Sequence, residues 1–155
     1  MEKITLKIYE VYSLQSELLG TMNNQTGEVY VKGLLNERLS ISTKYYLDKL
    51  SENLSKEITT IEKLKEELIK EKGQEDEKGG MFIPMRINEE FNDKGELVNF
   101  EVNPVYLEVQ EEINKLMGGE CEIEYRPFTL DELKVETEVN PQVLFKLIKD
   151  PIVTE

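Results

Sequence analysis

Apolar and polar positions alternate at the start of the chain, with Ile4, Leu6 and Ile8 set against Thr5, Lys7 and Tyr9. A period of two with β-branched residues predicts a short strand over residues 3–9. The period then lengthens: Val11, Leu14, Leu18 and Leu19 fall on one helical face that ends at Gly20. Asn23, Asn24 and Gly27 mark a turn, and Glu28–Lys32 reads as a second extended piece before Gly33.

The strongest pattern lies between Ser42 and Lys72, a stretch without Gly or Pro and rich in good helix formers. Leu47, Leu54, Ile61 and Leu68 recur every seven residues, with Leu50 and Leu64 in the intervening positions. Glu57 interrupts this stripe once, beside Ile58. A helix of that extent is a rod of roughly 46 Å. So narrow an apolar seam needs a partner helix, from the same chain or from another copy. The opposite face carries Lys56, Glu62, Lys63, Glu66, Glu67 and Lys70 at spacings that pair opposite charges, as a solvated face does.

Residues 73–80 hold a helix stop at Gly73 and an acidic loop at Glu75, Asp76 and Glu77. Met81–Phe91 and Glu96–Val102 flank Asn92, Asp93, Lys94 and Gly95, which predicts a hairpin with glycine in the left-handed position. Pro84 confines the first of those strands to an edge or a bend. Asn103 and Pro104 form a cap and first turn for a helix running to Met117, with Val105, Val109, Ile113 and Leu116 on its inner face. Glu120–Tyr125 alternates again and turns Cys121, Ile123 and Tyr125 to one side. Thr129 and Glu132 have capping-box spacing, and Asn140 and Pro141 open a last helix over Val143–Ile148, closed by Pro151. The pattern as a whole predicts one α+β domain over residues 1–155. Its long central helix over 42–72 packs with shorter helices near 10–20 and 104–117 and a small, mainly antiparallel sheet.

Charge sharpens this picture. The chain has 19 basic and 32 acidic side chains, a net −13. Residues 1–72 are nearly balanced at 11 basic and 12 acidic, whereas residues 73–155 hold 8 basic and 20 acidic. Such a field disfavours direct binding to nucleic acid or to an anionic membrane. The absence of His removes His-dependent triads and His-ligated zinc, and a single cysteine removes internal disulfides and cysteine clusters. The first ten residues contain no signal-peptide core, and the longest apolar runs are far below the roughly 20 residues that span a bilayer, so a cytoplasm is the expected site of synthesis.

Catalytic chemistry has little to work with. Glu111 with Glu112, and Asp131 with Glu132, lie on predicted exterior faces where carboxylates titrate normally and suit proton transfer poorly. Glu75, Asp76 and Glu77 are consecutive and lack the alternating oxygen ligands and central glycine of a calcium loop. Cys121 has no cationic neighbour in sequence to lower its pKa and reads as a small buried hydrophobe. The glycine pairs Gly79–Gly80 and Gly118–Gly119 lack phosphate-cradle spacing. No catalytic, metal or cofactor site is expected.

The wording of the chain adds a source. Ile8–Gly20, Asn24–Glu28, Gly33–Glu37 and Thr43–Leu47, followed by Glu67–Lys70, Glu75–Glu77 and Glu122–Asp131, resemble a family of small tailed-bacteriophage proteins. The resemblance implies a phage gene product made in a bacterial host, and it carries no catalytic motif with it. Two functions are then expected from different classes. The first is a non-enzymatic virion or assembly protein in head, connector or tail, forming a homo-oligomer or part of a ring with other phage or host proteins. Its contacts would be Leu47, Leu50, Leu54, Ile61 and Leu64 and the hairpin Met81–Val102. The second is an acidic inhibitor of a host defence or DNA-binding protein, a nucleic-acid mimic presenting Glu75, Asp76 and Glu77 with Glu108, Glu111 and Glu112.

Overall fold

A computed structural model describes residues 1–22, 25–129, 131–133 and 152–154. The protein is α+β, with small sheets that are antiparallel apart from one short parallel pair. The chain forms two compact units, one from Met1–Thr59 with Gly118–Glu155 and the other from Thr60–Met117.

In the first unit, β1 (Glu2–Lys7) pairs antiparallel with β8 (Glu120–Tyr125) over its whole length. Ile4 lies opposite Ile123 and Leu6 opposite Cys121, so the alternation of both strands turns their apolar residues to one face. The other face sets Lys3 against Glu124 and Lys7 against Glu120, and Lys3 reaches Glu122 at 3.8 Å. Helix α1 (Ile8–Leu19) starts earlier than the period-two pattern predicts, taking Ile8 and Tyr9 out of the strand. The carboxylate of Glu10 accepts the Lys7 N–H at 3.0 Å, which satisfies a donor left unpaired at the helix start. Strands β2 (Gly20–Met22) and β3 (Val29–Lys32) form a hairpin, and a 3-10 turn follows at Leu34–Asn36.

Helix α2 (Ile41–Lys72) is the long helix that the pattern predicts, and Ser40 caps it by accepting the Thr43 N–H at 3.2 Å. Its Leu47, Leu50 and Leu54 are fully buried in one cluster with Val11, Leu14 and Leu18 of α1, and Leu6, Ile123, Tyr125 and Phe128 belong to the same core. Gln15 ties the two helices in the buried region: its amide donates to Ser55 Oγ at 2.7 Å and to the Ser51 carbonyl, while Ser51 Oγ donates back to Gln15 Oε1. After β8, the strands β9 (Phe128–Thr129) and β10 (Val153–Thr154) pair in parallel. The predicted capping box is present, because Thr129 N–H donates to Glu132 and Glu132 N–H donates to Thr129 Oγ1. The turn residues Asn23 and Asn24 and the predicted last helix over Val143–Ile148 lie outside the described residues.

The second unit holds the end of α2, the short pair β4 (Gln74–Glu75) and β5 (Met81–Phe82), the hairpin β6 (Arg86–Phe91) and β7 (Leu97–Val102), and α3 (Pro104–Met117). Pro84 falls between β5 and β6, where the predicted first strand breaks. Asn92 organises the hairpin turn: its Oδ1 accepts the N–H groups of Lys94 and Glu96, and Gly95 takes a φ of 79°. Asn103 caps α3 by accepting the Val105 N–H at 3.1 Å, and its amide donates to the Pro84 carbonyl at 2.8 Å. Among the described residues, Ile61 and Val109 are the buried apolar side chains of this unit.

Candidate interaction surface

Each β-hairpin has two faces, and in β6–β7 neither is enclosed. Of the β7 residues, Phe100 and Val102 alternate onto one face, Val98 is the extra residue where the register slips between Glu90 and Phe91, and the three remain 44%, 46% and 60% exposed. Arg86 lies opposite Val102 and holds its guanidinium over the Phe100 ring at 5.2 Å. The other face sets Glu101 opposite Ile87 and Asn99 opposite Glu90. Met85 and Phe91 are also exposed at the ends of β6. Exposed apolar side chains gathered into a large patch mark contact sites.

The surface is acidic at its rim. Residues 86–102 contain Glu89, Glu90, Asp93, Glu96 and Glu101 against Arg86 and Lys94. Among the described residues no Lys or Arg forms an ion pair with any of those carboxylates; Glu101 accepts from the Asn88 amide at 2.9 Å and Glu96 from the Asn92 amide at 3.1 Å. The same unit has a second, smaller apolar feature. A hollow of about 220 Å³ is lined by Leu64, Leu68, Ile113 and Leu116 with Lys65 and Glu112. Nearby in sequence, Lys72 donates to Glu108 at 2.6 Å, a hydrogen bond that raises the lysine's pKa.

The predicted contact residues fall in different environments. Leu47, Leu50 and Leu54 fill the core of the first unit, so their own chain supplies the partner helix that the seam requires. Ile61 is buried in the second unit, whereas Leu64 is 47% exposed at the rim of the hollow. Glu75, Asp76 and Glu77 are exposed, and Asp76 Oδ1 accepts the N–H groups of Lys78 and Gly80 at 2.9 and 2.8 Å. That carboxylate shapes the β4–β5 turn. The hairpin was legible as an element, but the exposure of Val98, Phe100 and Val102 was not. A strand's alternation says which residues share a face, and only the packing says whether that face is covered.

Burial pushes the Cys121 thiol above its ordinary pKa and Glu57 adds to the shift, so little thiolate forms at neutral pH. Arg126 donates two hydrogen bonds to Glu132, at 2.7 and 3.2 Å, and lies over the Tyr46 and Phe128 rings. Tyr125 donates to Glu2 at 3.2 Å, and burial raises its pKa with help from that carboxylate. Among the described residues no group of three or more acidic or cysteine side chains is placed to hold a metal ion, and no helix is long and apolar enough to cross a membrane. Comparison of the chain with protein-family models, with curated proteins and with solved structures gives no match.

Proposed function

We propose that this chain is a non-enzymatic protein of a tailed bacteriophage that acts by binding other polypeptides, as a small part of the head, connector or tail or as a factor in their assembly. The observation that carries the reading is the uncovered apolar surface of β6–β7, with Val98, Phe100 and Val102 each at least 44% exposed. Burying such side chains in a partner releases water from apolar surface, the main favourable term in association. The phage source comes from the sequence resemblance. On this reading the protein is made in the host cytoplasm and, as a particle component, remains in the virion.

A second reading, an acidic inhibitor that mimics nucleic acid, is supported by the 20 acidic and 8 basic residues of the stretch 73–155. It is the weaker one, because Glu108 and Glu111 are engaged by Lys72 and Lys115. Mass spectrometry of purified phage particles separates the two. Stoichiometric recovery of this chain supports the first reading. Absence from particles, together with salt-sensitive capture of a DNA-binding host enzyme, would replace it with the second.

A further inference from the structure

We infer that Thr60–Met117 is a separate cooperative unit, which opens and closes while Met1–Thr59 with Gly118–Glu155 stays folded. The exposed β6–β7 surface therefore rides on the less stable part of the molecule. Opening of this unit does not depend on what that surface binds.

Apolar burial is divided unequally between the two units. The cluster that includes Leu14, Leu50 and Phe128 belongs wholly to the first unit, and neither Ile61 nor Val109 is part of it. Between Thr60 and Met117 all three phenylalanines, Phe82, Phe91 and Phe100, are exposed, and so is Leu107. The side chains best able to fill a core thus contribute little burial here. A two-stranded hairpin with neither face enclosed is itself marginal in water. The same stretch holds 15 acidic and 8 basic residues. Its ion pairs Lys65–Glu62, Lys72–Glu108 and Lys115–Glu111 are solvent-accessible, where such pairs stabilise weakly. Regions with few buried apolar side chains are the first to open.

The connections permit such opening. Helix α2 runs on past Thr60, and a helix can lose its last turns while earlier ones persist, because each backbone bond spans only four residues. On the return, Ile8 donates its N–H to the Gly119 carbonyl at 2.9 Å, and Lys7 pairs with Glu120. Asn53 donates to the Glu124 carbonyl at 3.0 Å, and Asn53, Lys56 and Glu57 line one hollow with Glu122, Ile123 and Glu124. The first unit's own bonds therefore hold the points where the chain leaves and re-enters it. The residues between can unfold as a closed loop, whose entropy cost rises only slowly with length. Within Thr60–Met117 the pieces are joined to one another. Asn103 donates to the Met85 and Pro84 carbonyls while capping α3, Gln74 pairs with Phe82, and Lys72 reaches Glu108. They should open together.

The test is hydrogen–deuterium exchange of the full chain, read by mass spectrometry at increasing urea. Peptides from the end of α2, from β6–β7 and from α3 should exchange about tenfold or more faster than those from β1, β8 and the first half of α2. They should still exchange more slowly than an unfolded chain, with a urea slope that is smaller than the global one but above zero. Val109→Ala should speed exchange throughout Thr60–Met117 about tenfold and leave β1 and β8 unchanged. Complete loss of protection there, with β1 and β8 still protected, would support the inference equally. Equal rates in both sets of peptides, a zero urea slope, or wild-type exchange of Thr60–Met117 at the unfolded rate would overturn it. So would a Val109→Ala effect that is absent, confined to α3 or spread to β1 and β8. Particle incorporation is read separately, so its failure bears on the functional reading and the exchange pattern on this one.

Discussion

At Gly33 the chain passes so close to the end of α1 that a Cβ would collide with backbone atoms of Leu18, Leu19 and Gly20. Backbone cannot swing aside as a long side chain can, so Gly33→Ala should destabilise the protein by about 3 kcal/mol, at the upper end of overpacking costs; urea unfolding measures it. Arg126 and Glu132 make a different single-residue case. The hydrogen bond from Arg126 holds Glu132 below the ordinary carboxylate range, with burial opposing and the Thr129 N–H assisting. A depressed folded-state pKa stabilises the protein above the unfolded value of about 4.3, and that stability is lost as pH falls through the folded one. Glu132→Gln should therefore melt lower than the parent at pH 7, with the gap closing below about pH 4. A gap that stays constant down to pH 2.5 would show that the carboxylate charge is not what Arg126 and Thr129 hold.

Among the elements, α2 is the one whose pattern and packing can be compared turn by turn. The heptad stripe is real as a buried stripe through Leu47, Leu50, Leu54 and Ile61, and it fades at the half-exposed Leu64. Leu54→Asp should cost about 4 kcal/mol or unfold the protein, because it leaves an unpaired charge in a closed core. Leu64→Asp should change stability by less than about 1 kcal/mol. Similar losses from both, in the same denaturation series, would mean that the stripe is packed along its whole length. The hairpin turn at Asn92–Gly95, the cap at Asn103 and the reciprocal bonds of Thr129 and Glu132 all follow from residues adjacent in the chain, so each was legible in advance. The boundary between β1 and α1 was not, since Ile8 satisfies a strand period and a helix period alike.

Across the whole molecule the acidic excess is the largest fact, and 15 acidic against 8 basic residues fall in the unit Thr60–Met117. Self-repulsion of this order opposes the compact state and is screened by salt. The melting temperature should rise by several degrees between 10 and 500 mM NaCl, a shift of about 1 kcal/mol for a chain of this size. A falling melting temperature would show that attractive pairs such as Lys72–Glu108 and Arg126–Glu132 outweigh the repulsion. The sequence by itself determined the α+β class, the extent of α2 and α3, the hairpin turn and the charge asymmetry, because each depends on local propensity or simple summation. Tertiary structure alone decided that β1 pairs with β8 across more than a hundred residues, that the α2 leucines are spent inside their own chain, and that Val98, Phe100 and Val102 stay in water. Alternation gives every strand two faces and a helix one stripe, but which of them meets another surface depends on where distant segments come to rest.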